Sequence, residues 1–336
     1  MRIVNLHHGA FVNIFRKLGH DVLSIGTTPD CDVVLKQPLS YKRFLELLEN
    51  RGMHPDLIFW CDACQTPWVF GIENMPCVTI GYSVDQYMNP WHVPFSAGFD
   101  AFFVAQKDYL PLFTASPTDR PATWMPLFCD PGHDQDAGME RDIPISFVGT
   151  LDGVANPGRR PFLTAFRRLA PLFLTTGYYV PIFGRSRIVL NQSAAGELNL
   201  RLFQGMACGA TLLTEETDNG LHDLFTPGVE LLTYRRGDAE HAAQRALAAL
   251  ARSDLTTIAQ NGRRKTLAKH SIVSRAKVVL AQAALLAAQG APKTRLARRE
   301  RVRAEVQKAY AVLATDEALP LPASERQFFL HMAQPC

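Results

Sequence analysis

Gly196-Glu197-Leu198-Asn199-Leu200-Arg201-Leu202-Phe203-Gln204-Gly205-Met206-Ala207-Cys208-Gly209 runs directly into Ala210-Thr211-Leu212-Leu213-Thr214-Glu215. Leu198, Leu202 and Met206 recur at helical spacing, which predicts a helix over Leu198 to Cys208 with one apolar face. Ala210 to Thr214 reads as a short buried strand, and Arg187-Ile188-Val189-Leu190 upstream reads as another. Strand, helix and strand in that order argue for parallel strands covered on both faces.

The alternation extends outward from there. Ile143 to Val148 reads as a strand ending at Gly149, Arg159 to Leu172 as a helix, and Glu230 to Tyr234 as a strand. Nearer the amino terminus, strands are expected at Arg2 to Leu6, Asp21 to Ile25, Leu57 to Trp60, Cys77 to Ile80 and Ala101 to Val104, with helices after Phe11 and over Tyr41 to Asn50. Pro126 to Pro144, rich in Pro, Gly, Asp and His, reads as a linker. The fold class is therefore α/β: two tandem Rossmann-like domains, 1–135 and 136–290, with a helical C-terminal extension over 291–336. In that extension a helix from about Arg295 to Leu313 keeps Val302, Val306, Ala309 and Leu313 on one side, as if to pack back on the first domain. The Pro-broken tail from Asp316 to Cys336 is expected at the surface.

Composition sets the broad class. With 336 residues, 47% hydrophobic and 20% charged, each half can bury a core of its own. Seven scattered cysteines do not form a secreted disulfide framework, and the amino terminus has too short an apolar stretch for a secretory leader, so a reducing, cytoplasmic setting is expected. The net charge of +3 conceals a basic segment, Lys293 to Lys308, with seven Lys/Arg and two Glu. Such a run is usually a solvated helix face; at most a weak membrane-surface contact is expected of it, and nucleic acid is not an expected partner.

Several chemistries are excluded or discounted. No G-x-G-x-x-G follows a predicted strand and no P-loop is present, which argues against dinucleotide binding and the common NTPases. Cys61-Asp62-Ala63-Cys64 has redox-motif spacing, but no second pair completes a zinc set. Asp134 and Asp136 form a D-x-D inside the linker and read as solvated acids. No metal site is assigned.

The segment Arg187 to Pro227 resembles the nucleotide-sugar half of GT-B glycosyltransferases. Leu190-Asn191-Gln192-Ser193 and Leu198 to Gly209 are similar to the spore-maturation-type branch, whose pattern runs "S-K-I-x-L-N", then "x-L-N-x-R-x-F-E-A-x-A-C-G", then "L-L-T". Asp223-Leu224-Phe225-Thr226-Pro227-Gly228 continues the likeness, and Ile145 to Gly149 resembles the opening of that half. The resemblance covers about Ile143 to Leu280. It implies a hexosyltransferase-like enzyme with no permanently bound cofactor, using a nucleotide-diphosphate sugar as donor. The acceptor could be a glycan, lipid, protein or small molecule.

The implied donor residues are Gly149, Thr150, Arg187, Asn191, Glu197, Asn199, Leu200, Arg201 and Gln204. A helix beginning near Glu197 to Asn199 would turn its N–H groups toward a diphosphate, so that no metal is required. Arg187 and Arg201 would add charge-assisted bonds to phosphate, and Gly149 would allow close approach. Simple packing explains Leu198, Leu202 and Met206, but not Asn199, Arg201 and Gly209 together. Gln204 stands where such families carry a Glu for the ribose hydroxyls, and it offers one neutral acceptor in place of a carboxylate. That departure keeps open a degenerate protein that binds a nucleotide sugar or a protein partner without turnover. An epimerase, or a phosphorylase using pyridoxal phosphate, is a third reading.

For an inverting enzyme the first domain would supply a general base at a strand end. Two candidates follow predicted strands: Asp85, in Gly81-Tyr82-Ser83-Val84-Asp85, and His8, after Arg2 to Leu6. A retaining enzyme would leave both with binding roles. Trp91 and His92 either line the acceptor pocket or occupy a surface loop.

Overall fold

The structure is a computed structural model that describes residues 1–115, 120–153 and 156–334; Cys336 lies outside them. The chain divides into two compact units, Met1–Met125 with Ala276–Cys336, and Pro126–Arg275. The divisions fall at 125/126 and 275/276, where the sequence places them at 135/136 and 290/291. Within the helix Ile272–Ala288 the chain passes from one unit to the other, and a continuous apolar helix gives no break in the sequence to mark that point.

The first unit holds one sheet of seven parallel strands: β1 (Arg2–His7), β2 (Asp21–Gly26), β3 (Val33–Val34), β4 (Leu57–Cys61), β5 (Val78–Ser83), β6 (Ala101–Val104) and β7 (Ala122–Trp124), in the order β3-β2-β1-β4-β5-β6-β7. Every residue of β4 and β5 is buried, as expected of central strands covered on both faces. Parallel pairing brings all the carboxyl ends to one rim, with His7 opposite Cys61 and Cys61 opposite Tyr82. That rim is where an open parallel sheet receives ligands.

One face of this sheet is completed by the end of the chain. Val302, Val306, Ala309, Tyr310 and Leu313, from the helix Arg299–Thr315, belong to the same core as Val4, Ile58, Trp60 and Phe102. Arg295, on the preceding helix Ala291–Ala297, donates to Asp100 Oδ1 at 2.8 Å and to the carbonyls of Met75 and Cys77 at 3.0 and 2.9 Å. The single helix expected from Arg295 is two helices, broken at Arg298. The tail is not a loose surface segment: Ala323–Met332 is a helix whose Phe329 is buried, its ring 6.4 Å from Phe70 and 6.1 Å from Tyr310. Pro320 and Pro322 precede this helix rather than interrupt it.

The second unit holds five parallel strands, β8 (Ile143–Val148), β9 (Phe173–Thr175), β10 (Ser186–Leu190), β11 (Thr211–Glu215) and β12 (Leu232–Tyr234), in the order β12-β11-β10-β8-β9. Helices Arg159–Leu169 and Ala239–Leu250 cover one face through Phe162, Phe166, Ala242 and Ala246. The stretch read as a linker belongs to this unit, and Asp134 is not a solvated acid. It is buried, accepting the Asp130 N–H at 2.8 Å and the Tyr179 hydroxyl at 2.6 Å. Asp136 instead pairs with Arg141 at 3.0 Å.

Candidate functional site

In the second unit the rim is organised around Arg201. The helix Leu200–Ala207 starts at Leu200, with Asn199 as its N-cap accepting the Leu202 N–H at 3.3 Å. Its first turn leaves N–H groups without intrahelical partners, beside the end of β8. From that turn Arg201 reaches back to donate from Nε to the Val148 carbonyl at 2.9 Å and from Nη1 to Asn191 Oδ1 at 3.0 Å, with its guanidinium over the Phe147 ring at 4.2 Å. Burial, and then the charge of Arg159, pull the Arg201 pKa down to about 9. A guanidinium so placed favours an incoming anion over water.

Gly149 makes room for this arrangement: a Cβ there would collide with Arg201 Nη2. Asn191, at the end of β10, is itself fixed by donating to Thr214 Oγ1 at 3.0 Å, while its carbonyl accepts the Tyr234 hydroxyl at 2.7 Å. Thr150 stands exposed beyond β8, its carbonyl accepting Arg159 Nη1 at 2.9 Å. Gln204, half-buried, follows Leu200 by one helical turn and so shares its face. The fold thus brings together Gly149, Thr150, Asn191, Asn199, Leu200, Arg201 and Gln204.

Two expected donor residues stand elsewhere. Arg187 is at the start of β10, so strand polarity carries it toward the opposite rim, where Nη2 donates to the Leu250 carbonyl at 2.9 Å. Glu197 precedes the helix and turns inward, its carboxylate accepting the N–H groups of Ala194 and Ala195 at 2.8 and 2.6 Å. It closes its own turn. Arg159, Phe147 and Gln192 are not among the expected donor residues. Arg159 donates from Nε to Gln192 Oε1 at 2.9 Å and lies 5.7 Å from the Phe147 ring centre, and only the fold joins these three.

In the first unit Asp85 follows β5 and His8 follows β1, both on the carboxyl-end rim. Asp62, just past β4, is buried and accepts three backbone N–H groups: Cys64 at 2.8 Å, and Val84 and Asp85 at 3.0 Å each. The Cys64 thiol donates to Asp85 Oδ2 at 2.7 Å. Desolvation, followed by the carboxylates of Asp85 and Asp62, drives that thiol far above its usual range, so it stays a donor. His7 and Cys64 are the only non-glycine residues in the left-handed backbone region, with φ of 67° and 53°, among the described residues. His7 ends β1, and Cys64 lies three residues past the end of β4.

Trp91 and His92 are buried, not in a surface loop. His92 Nδ1 is bonded to Ser83 Oγ at 2.8 Å, and its Nε2 lies 3.9 Å from Asp62 Oδ1. His7 Nε2 accepts the Trp68 N–H at 3.4 Å. Burial holds both imidazoles neutral, outweighing the pull of Asp62, and takes His7 down to about 4. His8 is exposed, and its Nδ1 accepts the Ala10 N–H at 3.1 Å. A neutral His8 bonded in this way carries its proton on Nε2 and presents a donor. Among the described residues no group of three or more His, Cys, Asp or Glu could hold a metal ion, and no single helix is long and apolar enough to cross a membrane.

Residues 156–281 match the glycosyl transferase-like family. No curated protein matches the chain by sequence. Among solved structures, the chain is similar to HepE of Anabaena in complex with UDP and glucose, with TM-score 0.64 and 11% identity over 85% of this chain and 100% of that one. Sucrose-phosphate synthase of Thermosynechococcus elongatus gives 0.63 and 14%, over 86% and 100%. A glycosyltransferase from Rickettsia africae gives 0.60 and 9%, over 84% and 97%. At these identities the likeness is one of fold, and the fold is GT-B.

Proposed function

We propose that this chain, a GT-B fold carrying a glycosyl transferase-like segment, is a bacterial, cytoplasmic glycosyltransferase of the spore-maturation-type branch. It moves a hexose from a nucleoside-diphosphate sugar to an acceptor hydroxyl, without a metal ion. The observation that carries this reading is Arg201: a half-buried guanidinium fixed by Val148 and Asn191, beside a glycine and at the first turn of a helix. Donors held rigidly in that way stabilise the negative charge that grows on a departing diphosphate.

In the first unit Asp85 takes the proton of the acceptor hydroxyl as its oxygen attacks the anomeric carbon and the bond to the diphosphate breaks. The product anomer is inverted. Asp62 holds the backbone that presents Asp85, and Cys64 orients one carboxylate oxygen. His8, a donor at Nε2, binds the acceptor rather than deprotonating it.

The test is a thermal-shift screen against UDP, GDP, TDP, CMP and ADP and their sugar conjugates, in the presence of a chelator. UDP-glucose comes first, since HepE is seen in complex with it. At ligand 100-fold above its dissociation constant, stabilisation is about 2.7 kcal/mol. One nucleoside diphosphate raising the melting temperature supports the reading, and no shift from any of them in folded protein overturns it. Gln204 favours a second reading, a protein that binds the donor without turnover. Gln204→Glu separates the two: a tuned enzyme loses activity or changes donor, whereas a relic only binds nucleotide more tightly.

A further inference from the structure

The first unit holds a cavity of about 880 Å³. Its walls come from that unit alone: the start of the helix Tyr41–Asn50, residues 66–74 after β4, and the helices Arg299–Thr315 and Ala323–Met332. The helix Tyr41–Asn50 connects β3 to β4, which run parallel, so it begins on the side of the carboxyl-end rim. The Trp68 N–H, bonded to His7 Nε2 at 3.4 Å, ties the same wall to the end of β1. Small-ligand sites occupy about 300–1,000 Å³, and this cavity falls within that range.

Aromatic rings make up much of the lining. Phe70, Tyr310 and Phe329 are buried, with ring centres 5.7 Å apart for Phe70 and Tyr310 and 6.1 Å apart for Tyr310 and Phe329. Phe328 extends this cluster at 5.4 Å from Phe70 yet is 39% exposed, and Trp68 is half-buried. Both are large rigid rings packed on the protein and still partly open to the cavity, which is the form of a contact surface rather than of a core. Gly71, with φ of 80°, admits Tyr41 to the wall, since a Cβ there would fall 2.6 Å from the Tyr41 Cβ.

Polar groups share the lining, and their charges balance: Arg43 and Arg303 against Glu73 and Glu325. Asn74 Nδ2 donates to Glu73 Oε1 at 3.3 Å, the Tyr41 hydroxyl donates to the Asn74 carbonyl at 3.1 Å, and Gln307 Nε2 donates to the Gln334 carbonyl at 2.9 Å. These bonds orient two side-chain amides, each of which offers donors and an acceptor, as a hydroxyl group requires. An anion finds no net positive charge here, and an alkyl chain would strip water from polar groups that it cannot bond. A pyranose ring suits both parts of the lining. Its C–H hydrogens match the electron-rich faces of the aromatic rings, and its hydroxyls match the amides and carboxylates. We propose that this cavity binds a neutral saccharide chain, held between Trp68 and Phe328 and hydrogen-bonded through Asn74, Glu73 and Gln307. The site is independent of the proposed transfer chemistry, because none of the residues assigned to donor, base or acceptor lines it.

Calorimetric titration of the full chain with maltohexaose, mannohexaose, xylohexaose and chitohexaose, and separately with decanoate, tests the proposal. It uses wild type, His8→Ala, Trp68→Ala and Phe328→Ser. At least one saccharide should bind wild type and His8→Ala alike, and bind at least about tenfold more weakly to Trp68→Ala or Phe328→Ser, as the loss of an aromatic contact implies. Should Trp68→Ala fail to fold, Phe328→Ser, at an exposed position, carries the test. Binding lost in His8→Ala assigns the saccharide to the proposed acceptor site and overturns the proposal while leaving the transferase reading in place. Decanoate binding that depends on Trp68 or Phe328, with no saccharide bound, assigns an apolar chain and also overturns it. So does the absence of binding by all four saccharides, or saccharide binding unchanged by both aromatic substitutions.

Discussion

Asp62 holds Asp85 by its backbone: one carboxylate oxygen, Oδ2, accepts both the Asp85 and the Val84 N–H at 3.0 Å, while Oδ1 accepts that of Cys64 at 2.8 Å. The loops after β4 and β5 are thereby tied to one buried anion. The charge at the bottom of the rim fixes the chain that carries the acid at its surface.

Asp62→Asn should break this tie. An amide keeps one acceptor oxygen and turns an NH2 group toward backbone N–H groups that need acceptors. The expected cost is about 1.5–3 kcal/mol, read by chemical denaturation. Transferase turnover should fall with it, while the melting shift given by the donor nucleotide, whose proposed site is in the second unit, should persist.

Asp85→Asn removes the proposed base without changing the size of the side chain. Turnover should fall by about 10²–10⁴-fold, with donor affinity unchanged. Wild-type product should show the inverted anomer by NMR. Retention of configuration, or a variant with full activity, would remove Asp85 from the proposed role.

Gly149→Ala places a methyl group where Arg201 Nη2 lies. The guanidinium must leave its position over Phe147, and nucleotide affinity should drop about as far as it does in Arg201→Gln. The double variant should be no worse than either single one, because both act on the same contact. Additive losses in a titration with nucleoside diphosphate would contradict that coupling.

Acid should destabilise the protein earlier than its carboxylates alone would require. Burial lowers His7 to about 4 and His270 to about 3, and lowers His92 as well, against 6.5 when unfolded. Between those values the unfolded chain binds more protons, so stability is full above pH 6.5 and is lost as pH falls toward 4. His7 alone accounts for up to about 3 kcal/mol. Denaturant midpoints measured from pH 7.5 to pH 5 should decline, and His7→Gln should flatten part of the slope.

Phe329→Ala tests whether the last helix is structural. Its ring is buried against Phe70 and Tyr310, so truncation should cost about 3–5 kcal/mol. An exposed neighbour such as Leu330→Ala should cost little.

Alternating apolar runs and helical spacing made the parallel α/β fold legible, because burial on both faces leaves a nearly continuous hydrophobic signature in each central strand. Three of the short strands, β3, β7 and β9, left none, since two or three residues carry no period. The helix Leu200–Ala207 was legible because its determinants are local: an N-cap Asn199, an apolar face and a basic residue one position into the first turn.

The sequence by itself determined which segments become strands and helices, and hence that Asp85, Asn191 and Arg201 stand near strand or helix ends. Only the tertiary structure decided which residues within each unit meet at its rim. Strand polarity sent Arg187 to the wrong rim, and a turn closed on Glu197. Long-range packing joined Asp62 to Asp85, Phe147 to Arg159 and Arg201, and Asp100 to Arg295, 195 positions away. The physical reason is the range of the forces: propensity and periodicity act over a few residues, whereas a binding rim is made where distant strand ends and buried charges must satisfy one another.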